Sequence, residues 1–360
     1  MTLLATRTTS VWVFGARGML AGEFLRLIEN HPGLQLAGAV SRSDSGLAEA
    51  HPHATLGLPA VDEDRATEGL IEALAAGESC AAVLALPHGE SAALYARLEA
   101  ALGSRISELA VVDLAADFRL RDPGRYENVY GRSHPCPDAL ADFVYGLPEL
   151  DRSRLSGARR VAAPGCFATA LQLAAVPAAR AGLLDATRPW IFTGVTGSSG
   201  SGATPAVGTH HPWRHGNLWA YGLDGHRHEA ELLQALAPLG VEPPVHFVPH
   251  SGPFARGIHL TAMLPLARAV RGTEVRAAYV GAYGGEPFVE VLAERVPDLR
   301  SVVGSNRATL GLHLRGSVLT VLCTIDNMIK GGAGQALQCL NAMLGFPETC
   351  GLPRAGLGVV

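Results

Sequence analysis

The chain lacks any run of apolar residues long enough to cross a bilayer, so no helical membrane span is expected. It also lacks paired cysteines. The six, at 80, 136, 166, 323, 339 and 350, are widely scattered, and none forms a Cys-x-x-Cys. Neither a disulfide framework nor a cysteine zinc site is expected, and a reduced, cytoplasmic setting is. The opening residues, Met1-Thr2-Leu3-Leu4-Ala5-Thr6-Arg7, have no charged-apolar-small layout of a secretion signal and read as running straight into a strand. Excess positive charge is missing too: a formal net charge of −4 over 360 residues speaks against nucleic acid as a partner. No internal repeat or low-complexity tract occurs. What is present is 48% hydrophobic and 17% charged, the balance of a packed globular protein. The length exceeds one ordinary core, so two domains are expected.

One cysteine stands out by context. In Ala163-Pro164-Gly165-Cys166-Phe167-Ala168-Thr169-Ala170, Pro164 and Gly165 break what precedes, and Ala168 to Val176 reads as an apolar helix. Cys166 then sits at or just before a helix N-terminus. Unpaired N–H groups there favour thiolate over thiol and can hold an oxyanion formed on a carbonyl that the sulfur attacks. That pattern points to covalent acyl chemistry; a buried structural cysteine is the alternative.

The first half alternates strand and helix. Val11-Trp12-Val13-Phe14 reads as a buried strand ending in Gly15-Ala16-Arg17-Gly18-Met19, and a helix with Phe24, Leu25, Leu27 and Ile28 on its apolar face follows. Strand, glycine turn and helix is the setting of a phosphate-binding turn: Gly15 permits the turn, Gly18 admits a pyrophosphate, and Ala21 and Gly22 are small where helix packs on strand. The second strand, Leu34 to Val40, ends in Ser41-Arg42-Ser43. An acidic residue at that strand end would grip a ribose hydroxyl; an arginine flanked by serines suits a 2′-phosphate instead, so NADP(H) is expected, with Arg17 a second cation. Ala81 to Leu86 and Leu109 to Leu114 read as further strands, placing Pro87, His88, Asp117 and Arg119 at carboxyl ends where ligands gather. His88 either covers the cofactor or caps a turn.

The second half is mixed. A strand at Trp190-Ile191-Phe192 leads into Thr193 to Gly202, a Gly/Ser-rich loop holding Ser199 that either touches ligand or links elements. Five of the fourteen histidines then cluster at 210, 211, 215, 226 and 228. The acids nearby fall at no metal-ligand spacing, so no metal is expected. An acid/base with an anion-gripping arginine is the better reading, and Glu229 onward reads as a helix start. Pro243 to Leu264 is alternating and strand-like. Leu310–Leu314 and Val318–Ile325 read as a hairpin in a sheet able to pack on another subunit's sheet. Asp326 to Gln335 is a glycine-rich turn opening a final helix, a place for a ligand or a plain helix start.

Taken together, these segments resemble the family of N-acetyl-γ-glutamyl-phosphate reductase and the carrier-protein-linked 2-aminoadipate 6-phosphate reductase. The pieces that carry it are Gly15-Ala16-Arg17-Gly18, Ser41-Arg42-Ser43, Leu86-Pro87-His88-Gly89, Asp113 to Leu120, Tyr145 to Leu150, Pro164-Gly165-Cys166, His226-Arg227-His228 and Asp326 to Gln335, in family order over nearly the whole chain. Two segments depart: Cys166-Phe167-Ala168-Thr169 stands where arginine-pathway members mostly have Cys-Tyr-Pro-Thr, and Thr209-His210-His211-Pro212 is closer to the lysine branch. The resemblance implies an α/β chain: a Rossmann NADP-binding domain over 1–165 completed by 330–360, and an α+β substrate and oligomerisation domain over 166–329. It implies Cys166 as nucleophile and His226 as acid/base. Arg119, Arg227, His228 and Ser199 are substrate-side candidates, and Asn327, Lys330 and Gly331 join the cofactor set. An acyl phosphate, free or on a small carrier protein, is the implied substrate, and dimers or tetramers the implied assembly. A non-catalytic NADP-binding sensor is the rival from another class. Aspartate-semialdehyde and triose-phosphate dehydrogenases share the chemistry, but the spacing of about 60 residues from Cys166 to His226 fits them less well.

Overall fold

A computed structural model of the chain describes residues 8–41, 47–53 and 60–358. Arg42, Ser43 and the opening residues 1–7 lie outside the described residues. The chain divides into two compact units: one from the chain up to Pro164 with Gly332–Leu352, the other from Gly165–Gly331 with the chain from Pro353.

In the first unit, β1 (Thr9–Phe14), β2 (Leu34–Val40), β3 (Ala60–Val61), β4 (Ser79–Leu84), β5 (Ala110–Asp113), β6 (Val144–Tyr145) and β7 (Arg160–Ala162) form a seven-stranded sheet in the order β3-β2-β1-β4-β5-β7-β6. Every neighbouring pair is parallel. Val11, Trp12, Val13 and Phe14 are all buried, so β1 is covered on both faces, as a parallel sheet requires. Trp12, Phe14, Ala82 and Leu84 share one core cluster with Leu70, Leu74, Leu94 and Leu98 of the helices Glu63–Ala75 and Glu90–Leu102. The helix Met19–Ile28 packs on the helix Gly334–Leu344, which lies against β5. After β3 the chain returns to the other side of β1, so β1 and β4 flank the point where strand order reverses. Strands β4 and β5 stop short of the expected Leu86 and Leu114. Ala85 still donates to Phe14, but the chain then turns through Pro87, which has no N–H to give a ladder.

The expected closing segment 330–360 is split. Gln335 Nε2 donates to Gly146 O within the first unit. The last stretch instead follows the second unit, where Asn306 donates to Pro353 O and Leu357 to Val303 O.

The second unit is built on β8 (Trp190–Thr196), β9 (Trp219–Ala220), β10 (Val245–Ser251), β11 (Ile258–Pro265), β12 (Val289–Val291), β13 (Ala308–Arg315) and β14 (Val318–Ile325). Their order is β12-β13-β14-β11-β8-β10-β9. The sheet is mixed, with β8–β10 and β12–β13 parallel and β8–β11, β11–β14 and β13–β14 antiparallel. The apolar stretch after Pro243 is thus two strands, separated at Gly252-Pro253. The helix Cys166–Arg180 packs on β11 and β14 and carries Pro177 in its interior. Proline cannot donate to the carbonyl four residues back, and Leu173 O is satisfied instead by the Tyr283 hydroxyl at 2.9 Å. The Tyr279 hydroxyl donates to the next carbonyl, Ala174 O.

Candidate active site

Cys166 is the first residue of its helix. Gly165 precedes it in extended conformation (φ −65, ψ 150), with no side-chain cap and no acidic residue in the first turn. The helix end therefore keeps its N–H dipole for whatever stands there, which favours a thiolate and an oxyanion. Gly331 lies close over Cys166: a Cβ on it would fall 2.8 Å from the Cys166 Cβ.

His226 caps the helix Arg227–Leu236, which starts two residues before the expected Glu229, and its Nδ1 accepts the His228 N–H at 3.3 Å. Its ring lies among Phe167, Tyr221 and Phe247, with centroids 6.2, 5.9 and 5.3 Å away. The Tyr221 ring, 5.9 Å from that of His226, also feels the Cys166 sulfur, so thiol and imidazole share one neighbourhood. Burial, and then the Arg227 guanidinium, lower His226 to about 4. At neutral pH the ring is uncharged. Because Nδ1 accepts, its proton stands on Nε2, ready to be donated. Arg227 is exposed beside it, free of the sheet and suited to an anion. Tyr221, which the sequence places in the same cluster without a role, belongs here too: burial and the neighbouring Cys166 sulfur raise its hydroxyl.

His228 is buried, its ring packed on Gly165 and 3.9 Å from Glu231 Oε1, rather than exposed toward a substrate. Glu231 was missed. Its three-residue spacing from His228 was the available signal, obscured by taking the helix to begin at Glu229.

Other expected positions have structural partners. Arg119 is buried; its Nε donates to Ala163 O and a terminal nitrogen to Leu114 O, so it braces the chain before Pro164 instead of facing substrate. Ser199 donates to Ala255 O and accepts from Asn327 Nδ2, while Asn327 Oδ1 holds the Gly257 N–H. The Gly/Ser-rich loop is thus a pinned loop, not a linker. Lys330 is fully buried, its Nζ 5.8 Å from the Phe288 ring centroid, which removes it from any cofactor surface. Among the described residues, no group of three or more His, Cys, Asp or Glu converges as a metal site.

On the first unit, Gly15 sits at the strand reversal with φ +78, and a Cβ there would fall 2.5 Å from Ala85 O. Gly18 opens the helix Met19–Ile28 with no side-chain cap and no acid in the first turn. That cradle, with exposed Arg17 and Met19 at its rim, fits a pyrophosphate. Ala16 is buried, its carbonyl held by His51 Nε2. His51 also packs on Gly22, which is small for this ring rather than for a strand. Ser41 follows β2 and donates its N–H to Val61 O. Pro87 is exposed at the end of β4, and His88 Nδ1 accepts the Ala116 N–H, which is the turn-capping role.

A thiol at a helix start with an uncharged imidazole beside it, on a chain with a dinucleotide fold, defines an oxidoreductase of acyl groups and aldehydes. Two family profiles match: the NAD binding domain of semialdehyde dehydrogenase over residues 10–158 and the semialdehyde dehydrogenase dimerisation domain over 166–327. The chain belongs to the semialdehyde dehydrogenase family. A Thermomicrobium roseum protein named as a LysW-L-2-aminoadipate 6-phosphate reductase is 39% identical, over 97% of this chain and 98% of that one. The N-acetyl-gamma-glutamyl-phosphate reductase of Dehalococcoides mccartyi strain CBDB1 is 40% identical, over 94% and 96%. Among solved structures, aspartate semialdehyde dehydrogenase II of Vibrio cholerae has TM-score 0.66 at 14% identity, covering 94% of this chain and 98% of that one. The Candida albicans aspartate semialdehyde dehydrogenase with NADP has TM-score 0.66 at 15% identity, with the same coverage.

Proposed function

We propose that the chain reduces N-acetyl-γ-glutamyl phosphate to the 5-semialdehyde with NADPH, releasing phosphate. The observation that carries it is Cys166 at an uncapped helix start beside the uncharged His226. The Cys166 thiolate attacks the acyl carbon, the helix N–H groups hold the oxyanion, and phosphate departs to leave a thioester. NADPH, when bound, supplies the hydride that a thioester accepts and a carboxylate does not. The Nε2–H of His226 hydrogen-bonds the oxyanion of the resulting hemithioacetal, whose collapse frees the aldehyde and restores the Cys166 thiolate, the proton staying on the imidazole. Arg227 holds the anionic end of the substrate. Gly15 to Met19 hold the pyrophosphate, and Ser41, Arg42 and Ser43 the 2′-phosphate.

A second reading is favoured by the lysine-branch relative and by Thr209-His210-His211-Pro212: a 2-aminoadipate 6-phosphate carried on a small protein. The discriminating assay is phosphate-dependent NADP reduction with N-acetylglutamate semialdehyde, beside N-acetyl-2-aminoadipate semialdehyde. Turnover of the first supports the main reading. Silence with both, alongside normal NADPH binding, supports the carrier-bound one.

The assembly proposed is a homo-oligomer through the second unit's uncovered sheet face. Ile191 and Met263 pair across β8 and β11 there, 43% and 37% exposed. With Thr193, Thr261, Thr320 and Leu322 they form an uncharged patch, suited to a second copy. Sedimentation of Met263→Asp as a smaller species than wild type supports this; an unchanged mass overturns it.

A further inference from the structure

Glu231 takes no part in the covalent route, yet its carboxylate lies against a neighbour of each residue that does, Gly165 before Cys166 and His228 after His226. It is fully buried, and its Oε2 accepts the Gly165 N–H at 3.1 Å. The Gly165 carbonyl is held as well, by the Thr169 N–H at 2.9 Å and its hydroxyl at 3.2 Å. The residue before the nucleophile is thus pinned from both ends. Oε1 of the same carboxylate stands 3.9 Å from His228 Nε2. The His228 ring fills the space where a Gly165 Cβ would stand, 2.3 Å from Nε2, and lies edge-on to His226 at 4.5 Å. The His228 N–H is the group that keeps the His226 proton on Nε2. A buried carboxylate is costly unless its oxygens are held. Here one oxygen accepts from the backbone before Cys166, and the other faces the ring that packs against His226.

Resting on the reading of Cys166 and His226 as the reacting pair, we infer that Glu231 is a positioning residue that sets both in a single register. Without the carboxylate the Gly165 peptide and the His228 ring lose their common anchor, and sulfur and imidazole drift from the geometry in which they act together.

The test compares Glu231→Ala, Glu231→Asp and Glu231→Gln. Alanine removes the anchor, aspartate keeps the charge but not the reach, and glutamine keeps an oxygen at the same reach. Glu231→Ala and Glu231→Asp lower kcat about 100-fold with KM within about threefold, as misplacement of a reacting group does. They also slow iodoacetamide alkylation of Cys166, read on its own peptide by mass spectrometry, by about tenfold. Glu231→Gln recovers most of both losses. A purely structural role has the opposite signature: a loosened fold exposes the thiol, Cys166 alkylates faster, and glutamine rescues nothing. Alkylation at or above the wild-type rate in Glu231→Ala, or kcat within threefold of wild type, overturns the inference. Alkylation needs no substrate, so a wrong acyl group leaves this readout untouched. A wild-type Cys166 no more reactive than Cys136 and Cys350 would instead overturn the assignment of the nucleophile.

Discussion

The two units begin their principal helices in the same way and use the beginning differently. Gly18 (φ −69, ψ 151) precedes Met19–Ile28, and Gly165 (φ −65, ψ 150) precedes Cys166–Arg180. Neither helix has a side-chain cap or an acid in its first turn, so both present the same positive end. What differs is the space around the glycine. A Cβ on Gly18 would meet Gly15 O at 3.4 Å, close to ordinary contact, whereas one on Gly165 would meet His228 Nε2 at 2.3 Å. The first unit leaves its helix end open, as a site for a ligand's phosphates must be. The second fills the space with its own imidazole and places a thiol on the end instead. One electrostatic device thus stands open in the first unit and is packed around a thiol in the second.

The largest effect that sharpens this contrast is Cys166→Ala. It should abolish reduction, by at least about 10⁴-fold, while NADPH binding followed by fluorescence titration stays unchanged. Turnover within tenfold of wild type would mean that the sulfur is not the nucleophile. Next come paired glycine substitutions. Gly165→Ala drives a methyl into the His228 ring, so it should lower both Tm and kcat, the latter about 100-fold, with the NADPH Kd unaltered. Gly18→Ala has room in the empty protein and should leave Tm almost unmoved. Its cost should appear only with ligand, as an NADPH Kd weaker by about tenfold. If both substitutions damage the same quantity, the distinction between an open and a filled helix end is wrong.

This contrast explains which parts were legible in the chain. Strand-turn-helix at Val11 to Ile28 announces itself because β1 is buried on both faces and the glycines follow it directly. Cys166 was readable for the same local reason, Pro-Gly before an apolar helix. The filled helix end was not, because it depends on contacts between positions about 60 residues apart: nothing near Gly165 in sequence indicates that His228 and Glu231 pack on it. Arg119 and Lys330 misled for the complementary reason. A cation beside a glycine-rich or strand-end motif looks like a ligand for anions, but here backbone carbonyls take Arg119, and burial against Phe288 takes Lys330. Pattern identifies a helix end; the packing around it decides what the end is for.

A pH profile probes the filled site at smaller amplitude. His226 lies at about 4 in the folded chain against an ordinary 6.5, chiefly through burial. The acid limb of kcat/KM assigned to this imidazole should therefore fall near pH 4, not 6.5. Stability follows with a definite sign. The unfolded chain takes up this proton below 6.5 and the folded one only near 4, so stability falls as pH drops through that window. Burial lowers His31, His51, His134 and His259 in the same direction. Thermal melts from pH 7.5 to 4.5 should show Tm declining below 6.5, less steeply in His226→Asn. Asp113, which burial raises to about 7, works in the opposite direction, so the readout is the difference between the two chains: an equal slope in wild type and His226→Asn would mean that His226 is not shielded from water.

The smallest effect lies at the other end of the nucleophile's helix. Pro177 leaves the Leu173 carbonyl without its helical donor, and the Tyr283 hydroxyl supplies one at 2.9 Å. Tyr283→Phe keeps the ring and removes the donor, so a buried carbonyl is orphaned at about 1–2 kcal/mol of stability, read by urea denaturation. In a Pro177→Ala background the backbone can supply the bond itself, and the same tyrosine change should cost less. A double-mutant cycle measures that coupling. The helix Met19–Ile28 contains no proline and needs no such brace. A coupling near zero would show that the Leu173 carbonyl is satisfied by another route, and that the tight packing at Gly165 does not extend along the helix to its far turn.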